Sequence, residues 1–176
     1  YPLIGNYGIN LEDVESNKVQ VKGLIVREKS DNPNNFRCEM DIDTYLKQNK
    51  VIGLEGIDTR ALTKIIRNNG TKRGIITLEN VSLQDVQSKL EEHCNKDSVK
   101  NVTRKEIENI KGTGAKVVVI DFGVKNSVLE SLKACNCDIT IVPAMTTVEE
   151  ILNINPDLIL LSNGPGNPED INDIVE

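Results

Sequence analysis

The sequence lacks the features of a membrane or secreted protein. It has no tryptophan and only 3% aromatic residues, and no apolar run approaches the roughly 18 residues that a membrane-spanning helix needs. No basic flank followed by an apolar segment stands near Tyr1, so we predict neither a secretory signal nor a membrane span. We therefore expect a cytoplasmic protein.

Positive charge is also in deficit. Lys and Arg number 21 against 27 Asp and Glu, which gives a formal net charge of −6 at pH 7. Because phosphate binding relies on clustered Lys and Arg, this balance opposes a nucleic-acid surface. We expect small molecules or proteins as partners.

Metal-binding and disulfide-forming residues are scarce too. The chain has four cysteines and one histidine, and His93, Cys94 and the Cys135/Cys137 pair lack the paired ligand clusters of a structural zinc site. We predict no metal site and reduced thiols. No base stands beside Cys135 or Cys137, which favours buried structural thiols over nucleophiles.

The first part of the chain, residues 1–97, alternates strand and helix patterns, which predicts an α/β domain. Leu83, Val86 and Leu90 are expected to face inward on its last helix. The predicted strands are 19–26, 51–54 and 74–78, and the predicted helices are 44–48, one from the N-cap Asp58 to Asn69-Gly70, and one after Ser82 and its partner Asp85.

Residues 98–114 are polar and predict a linker, because such a composition buries little surface. The glycines of Lys111-Gly112-Thr113-Gly114 precede a strand, whereas a phosphate-binding loop follows a strand and opens a helix. We therefore place a domain boundary here.

Residues 115–176 predict a β-α-β-α-β unit, the first half of a doubly wound, flavodoxin-like parallel sheet. Ligands of such sheets bind beyond the carboxyl ends of the strands. The predicted strands are 116–121, 138–142 and 157–162; one intervening helix buries Val128, Leu129 and Leu132, and the other, with a Thr146/Glu149 capping box, buries Val148, Ile151 and Leu152.

A loop rich in glycine and proline follows the third strand, Ser162-Asn163-Gly164-Pro165-Gly166-Asn167-Pro168. Such residues mark ordinary turns. After an apolar strand, however, a rigid loop with accessible backbone amides can also stabilise an oxyanion without reorganising. Its position favours a functional site.

This loop closely resembles the oxyanion loop of class I glutamine amidotransferases. Asp121-Phe122-Gly123-Val124-Lys125 and Thr140-Ile141-Val142-Pro143-Ala144 are similar to the carbamoyl phosphate synthetase branch of that family. Tyr1-Pro2-Leu3-Ile4-Gly5-Asn6 and Gly56-Ile57-Asp58-Thr59-Arg60-Ala61-Leu62-Thr63 resemble the N-terminal domain of its small subunit. The resemblance covers nearly the whole chain.

The resemblance implies that the Gly164 amide is an oxyanion donor and that Gly164 and Gly166 line a glutamine pocket. The family also uses a Cys nucleophile in a Gly-x-Cys-x-Gly elbow, with a His and a Glu, to release ammonia through a thioester. No Cys follows Cys137, and His93 lies in the earlier domain. We expect a piece cut at both ends, from Tyr1 to Glu176, that is inactive alone.

The resemblance further implies a large synthetase subunit as partner. That subunit combines ammonia with bicarbonate and ATP in pyrimidine and arginine biosynthesis, and ATP and Mg are expected there, with no cofactor in this chain. Residues 115–176 alone leave an unpaired sheet edge, so we predict that this piece is unstable or aggregates.

Three alternative functions remain open. A flavodoxin-like signalling module such as a phosphoacceptor receiver needs an Asp after the third strand, where no carboxylate occurs before Glu169. An interaction module without catalysis is a second alternative. An anthranilate synthase glutaminase would resemble only the later domain.

Three smaller features have an ordinary structural interpretation, which we prefer for the first and the third and hold equal to a functional one for the second. Asp121-Phe122-Gly123 spells a kinase metal motif without the other kinase signatures. Arg60 could face a partner carboxylate or be a solvated charge, and Lys125 is interpreted as a surface lysine.

Overall fold

A computed structural model describes residues 1–93 and 97–166. The chain divides into two compact units, residues 1–93 and 94–176. None of the helices in the described ranges has the length and apolar character needed to cross a bilayer.

The first unit is built from short elements. β1 and β3 form one parallel pair, and β2 and β4 form another. The strands are β1 (Leu3–Ile4), β2 (Gly23–Ile25), β3 (Glu28–Lys29) and β4 (Ile52–Leu54); the helices are α1 (Ile42–Gln48), α2 (Thr59–Asn69) and α3 (Leu83–Glu92), with a 3-10 turn at Leu11–Asp13.

Helix boundaries in this unit follow the side chains that cap them. The carboxylate of Asp58 accepts a hydrogen bond from the Ala61 N–H at 2.9 Å, which confirms the predicted start of α2. Gly70 ends that helix at φ 73. The Ser82 hydroxyl accepts from the Asp85 N–H at 3.1 Å and starts α3 as predicted.

Three predictions for the first unit are wrong. Residues 74–78 form no strand, and the predicted strand 19–26 shrinks to β2. A strand needs a neighbouring strand for its backbone hydrogen bonds, and the partner of β2 is β4 rather than residues 74–78. Ile76 contributes only its side chain, which lies against Gly23. Leu83 is 83% exposed rather than facing inward.

The second unit contains a four-stranded sheet in the order β5-β7-β6-β8. β6, β7 and β8 are parallel, as predicted, while β5 runs antiparallel to β7. The fold is therefore the mixed α/β, flavodoxin-like class that the sequence predicts. Its elements are α4 (Ser98–Val102), β5 (Glu108–Ile110), β6 (Lys116–Asp121), α5 (Asn126–Ala134), β7 (Asp138–Pro143), α6 (Val148–Asn153) and β8 (Leu158–Leu161).

Alternate side chains of β6 enter two separate apolar clusters, because successive residues of a strand point to opposite faces. Val118 and Ile120 pack in one cluster with Val99 and Ile151, which come from α4 and α6. Val117 and Val119 pack in the other with Leu129 of α5. Helices thus cover both faces of the central strand.

The segment predicted to be a linker, residues 98–114, has structure of its own. It contains α4 and β5, and Val99 is only 5% exposed. Gly112 and Gly114 are required by packing, since a Cβ on Gly112 would lie 2.1 Å from the Cys137 carbonyl oxygen. The segment is therefore structured rather than an extended linker, while the expectation that it buries little holds, since Val99 is the one buried residue in it.

The cap and the buried face of α6 also differ from prediction. The capping box is formed by Thr147 and Glu150, one residue later than expected. Ile151 is buried as predicted, but Val148 and Leu152 are exposed. Six residues make fewer than two helical turns, so α6 buries one side chain, Ile151, rather than a row of side chains along one face.

Candidate active site

The carboxyl ends of β6 and β8 meet because these strands are parallel neighbours. Ile120 pairs with Leu161 in the ladder, so the loops that follow the two strands lie side by side. Gly164 touches the first loop so closely that a Cβ there would lie 2.4 Å from the Phe122 carbonyl oxygen. Only glycine permits this approach.

Ser162 connects the two loops. Its N–H donates to the Ile120 carbonyl at 3.2 Å. Its hydroxyl oxygen accepts a hydrogen bond from the Phe122 N–H at 2.9 Å and donates to the Asn163 carbonyl oxygen at 3.0 Å. The loop that carries Gly164 is thereby tied to the end of β6.

Gly164 and Gly166, the two predicted site glycines, are both exposed. Among the described residues, the Gly164 N–H donates no hydrogen bond. Gly166 has φ +92, a conformation that favours glycine. Asn167 and Pro168, the end of the predicted motif, lie outside the described residues.

Asp121 fixes the other loop from inside. Its side chain is buried, with the residue 2% exposed, and it accepts backbone hydrogen bonds from Gly123 at 2.9 Å and Val124 at 2.8 Å. The Arg104 N–H donates to it at 2.9 Å, and the Arg104 guanidinium lies 3.5 Å away. This carboxylate is engaged in holding a turn, which is a structural use rather than the kinase metal site that its motif spells.

The segment around α4 lies across the carboxyl ends of the sheet. Val99 packs in the cluster that contains Phe122, and the Thr103 hydroxyl oxygen accepts from the Ala144 N–H, just after β7, at 2.9 Å. Arg104 binds Asp121 at the end of β6, as described above. These contacts were not predicted, because isolated polar partners of strand ends leave no periodic pattern in the sequence.

The remaining candidate residues do not assemble into a site. His93 and Cys135 are exposed, so the prediction of a buried Cys135 is wrong, and Cys137 is half-buried. The cysteines in the described ranges are free thiols. Within residues 1–93 and 97–166, no three His, Cys, Asp or Glu side chains are grouped as metal ligands would be. Cys94 lies outside the described residues.

Two basic residues singled out by sequence are surface charges. Arg60 is exposed and forms no ion pair with the part of the chain that the structure describes, which fits the solvated alternative. Lys125 is exposed and precedes α5 without a side-chain capping bond.

Comparisons with known proteins assign a family to each part of the chain. Residues 1–76 match the model of the carbamoyl-phosphate synthase small chain, CPSase domain. Residues 118–176 match the class-I glutamine amidotransferase model. The two loops of the candidate site fall within the second match, as do β7, β8 and most of β6.

Curated relatives match over nearly the whole chain. The carbamoyl phosphate synthase small chain of Clostridium perfringens is 57% identical over 175 residues, which are 99% of this chain and 50% of the relative. Those of Streptococcus mutans and Bacillus cereus are 45% and 47% identical over 100% of this chain and 49% and 48% of the relatives. The chain thus spans about half the length of these relatives.

Both domain models occur in the same order that the motifs indicate, and the relatives cover the stretch between them as well. The chain belongs to the family of carbamoyl phosphate synthase small chains.

Proposed function

We propose that this chain is part of a glutamine-hydrolysing subunit that supplies ammonia for carbamoyl phosphate synthesis. The observation that carries the proposal is Gly164, an exposed residue at the carboxyl edge of the sheet whose N–H donates no hydrogen bond among the described residues. Residues 118–176 match the class-I glutamine amidotransferase model, and the resemblance of the Gly164 loop to the oxyanion loop of that family supports the proposal.

The chemistry requires a donor that is in place before the reaction. A base takes the thiol proton, and attack of the thiolate on the glutamine side-chain amide converts the carbonyl oxygen to an oxyanion. The base then gives its proton to the amide nitrogen, collapse releases ammonia and leaves a thioester, and water hydrolyses the thioester to glutamate and regenerates the thiol. The Gly164 N–H would stabilise that oxyanion, and Gly166 would line the glutamine pocket. Since the loop is already tied to β6 through Ser162, little reorganisation is needed.

The nucleophilic thiol and the base that activates it would come from residues outside this chain. No Cys follows Cys137, and Cys135 and Cys137 lie at the opposite end of the sheet, between α5 and the start of β7. The relatives extend over about twice the length of this chain, so we place the nucleophile in the part that it does not span. These 176 residues alone are then inactive.

The proposed partner is a synthetase large chain that consumes the ammonia with bicarbonate and ATP. ATP and Mg would bind to that partner, and this chain would need no cofactor. The assembly would work as a ligase in the cytoplasm, in pyrimidine or arginine biosynthesis.

Ammonia release from glutamine tests the proposal directly. The 176-residue chain and a version extended through the remainder of its gene are assayed with and without the large chain. We expect activity only in the extended version, with a rate that responds to the large chain. A Gly164→Ala variant of the extended protein serves as the site control and should lose about 10²-fold or more in kcat, as expected when an oxyanion donor is displaced.

A folded extended protein that releases no ammonia would contradict the proposal. The non-catalytic interaction module would then be the better interpretation, and retained binding of the large chain would support it.

A further inference from the structure

The Ser162 hydroxyl makes two hydrogen bonds of opposite direction. It accepts from the Phe122 N–H at 2.9 Å, so its own proton is free to be donated, and it donates that proton to the Asn163 carbonyl at 3.0 Å. A hydroxyl group can do both at once because it has one donor and two acceptor positions.

The second of these bonds fixes the direction of the Gly164 amide. Asn163 and Gly164 share one peptide plane, and the structure has no cis peptide among its described residues. In a trans peptide the N–H points opposite to the C=O. Because the Asn163 carbonyl points to the Ser162 hydroxyl, the Gly164 N–H points away from that hydroxyl.

The other side of the loop is held by packing. Gly164 lies against Phe122, where a Cβ would come within 2.7 Å of the Phe122 Cβ. Pro165 lies close to Gly123. Packing and the bonds of Ser162 to Ile120 and Phe122 set the position of the loop. The peptide plane between Asn163 and Gly164 can still rotate about its neighbouring torsions, and the bond from the Ser162 hydroxyl to the Asn163 carbonyl opposes that rotation.

We propose that Ser162 is a positioning residue that orients the Gly164 N–H towards the oxyanion. This inference rests on the proposed function. Ser162 itself does not touch the reacting atoms; it acts through the peptide of Gly164. Alanine at this position would leave the Phe122 N–H and the Asn163 carbonyl without their partner, while threonine would keep the hydroxyl.

The test uses the extended protein with its large chain and compares Ser162→Ala, Ser162→Thr and the control Ser131→Ala. Ser131 is an exposed serine of α5 in the same unit whose hydroxyl donates to the Ser127 carbonyl. We expect Ser162→Ala to lower kcat by about 10-fold or more, below the roughly 10²–10³-fold effect of losing an oxyanion donor outright. KM should change less than about threefold, since the defect is confined to the transition state. Ser162→Thr should recover most of the rate, and Ser131→Ala should match the wild type.

Two reagents for the nucleophilic thiol separate positioning from general damage. Glutamate γ-semialdehyde adds the thiol across its carbonyl to give a tetrahedral hemithioacetal, whose oxygen needs the donor. Iodoacetamide alkylates the thiol and loses iodide, and no oxyanion forms. Ser162→Ala should weaken inhibition by the aldehyde about as much as it lowers kcat and leave the alkylation rate unchanged.

The orientation of the Gly164 amide can also be followed by NMR, which does not depend on enzyme activity. In NMR spectra, the Gly164 amide resonance and its hydrogen-exchange rate should change in Ser162→Ala and stay as in the wild type in Ser131→Ala. A Ser162→Ala enzyme with kcat within twofold of wild type, an alkylation rate that falls with kcat, or an unchanged Gly164 resonance would overturn the inference. If the wild type releases no ammonia, the proposed function fails, and the NMR comparison still decides whether Ser162 orients the peptide.

Discussion

The two units of the chain differ in how their apolar residues are buried. In the described residues, the buried hydrophobic side chains of the first unit are Val26 and Ile42, whereas the second unit has two clusters on the two faces of β6. The strands of the first unit have two or three residues each, and β6 and β7 have six. Longer strands with neighbours on both sides create a core, while short pairs depend on the loops around them.

This contrast determines where sequence patterns are informative. A strand buried on both faces must be apolar at nearly every position, as in β6, so a run of this kind points clearly to the centre of a sheet. A short strand pair imposes only a few constraints, so an apolar stretch such as residues 74–78 can lie beside a sheet without joining it. We expect two effects that differ between well-packed and open positions and a third, the smallest, that is common to both units.

Truncation of a buried side chain should give the largest difference in lost stability between the two units. Ile141 in β7 is fully buried, whereas Ile66 in α2 is 43% exposed. Ile141→Ala should destabilise the second unit by about 3–4 kcal/mol through lost burial and a cavity. Ile66→Ala should cost about 1 kcal/mol or less. Hydrogen exchange of the full-length protein, followed on peptides from β6, β7 and α2, gives the local free energies of unfolding; equal losses for the two variants would contradict the contrast.

A methyl group added to glycine should have an intermediate effect. At Gly164 it meets the Phe122 carbonyl oxygen, whereas at Gly74 nothing lies within 4 Å of the added carbon. Gly164→Ala should destabilise the β8 edge by about 1–3 kcal/mol, because backbone must move. Gly74→Ala should stay within about 0.5 kcal/mol of the wild type.

Urea unfolding of both variants, with hydrogen exchange of peptides from β8, measures this difference. A Gly164→Ala protein as stable as the wild type would show that the two loops at the carboxyl ends are not locked together.

The smallest expected effect is the loss of helix-cap stability at low pH, which should occur in both units. Asp41 caps α1 by accepting from the Thr44 N–H at 2.9 Å and the Thr44 hydroxyl at 2.7 Å, which lowers the pKa of Asp41 below its ordinary 3.8. Glu150 of the α6 capping box accepts from the N–H and the hydroxyl of Thr147, which lowers its pKa below 4.5. Because the folded pKa is the lower one, each cap contributes its full stability above these ordinary values and loses it as pH falls through the depressed pKa.

Amide exchange at Thr44 and Thr147, measured from pH 6 to about pH 3, should therefore accelerate below the ordinary carboxyl pKa beyond the intrinsic rate. Asp41→Asn and Glu150→Gln should remove this extra pH dependence. Persistence of the dependence in both variants would assign it to other carboxylates.

Sequence reasoning recovered the architecture better than the site. The β6, β7 and β8 strands, the caps at Asp58 and Ser82, and the loop with Gly164 follow from local patterns. The hydrogen bond between the Phe122 N–H and the Ser162 hydroxyl joins residues 40 positions apart in the sequence. The hydrogen bond from the Arg104 N–H to the Asp121 carboxylate joins residues 17 positions apart. No periodicity encodes such contacts, because each depends on how strand ends are brought together in three dimensions.

The strand order also has a consequence for synthesis on the ribosome. β6 lies at the centre of the parallel strands, between β7 and β8, yet it precedes both in the chain. Translation therefore delivers the middle of these parallel strands first, and each later strand emerges with its neighbour already made. A nascent chain that proceeds in this order can build its core outward during elongation, before either flank is exposed to other chains for long.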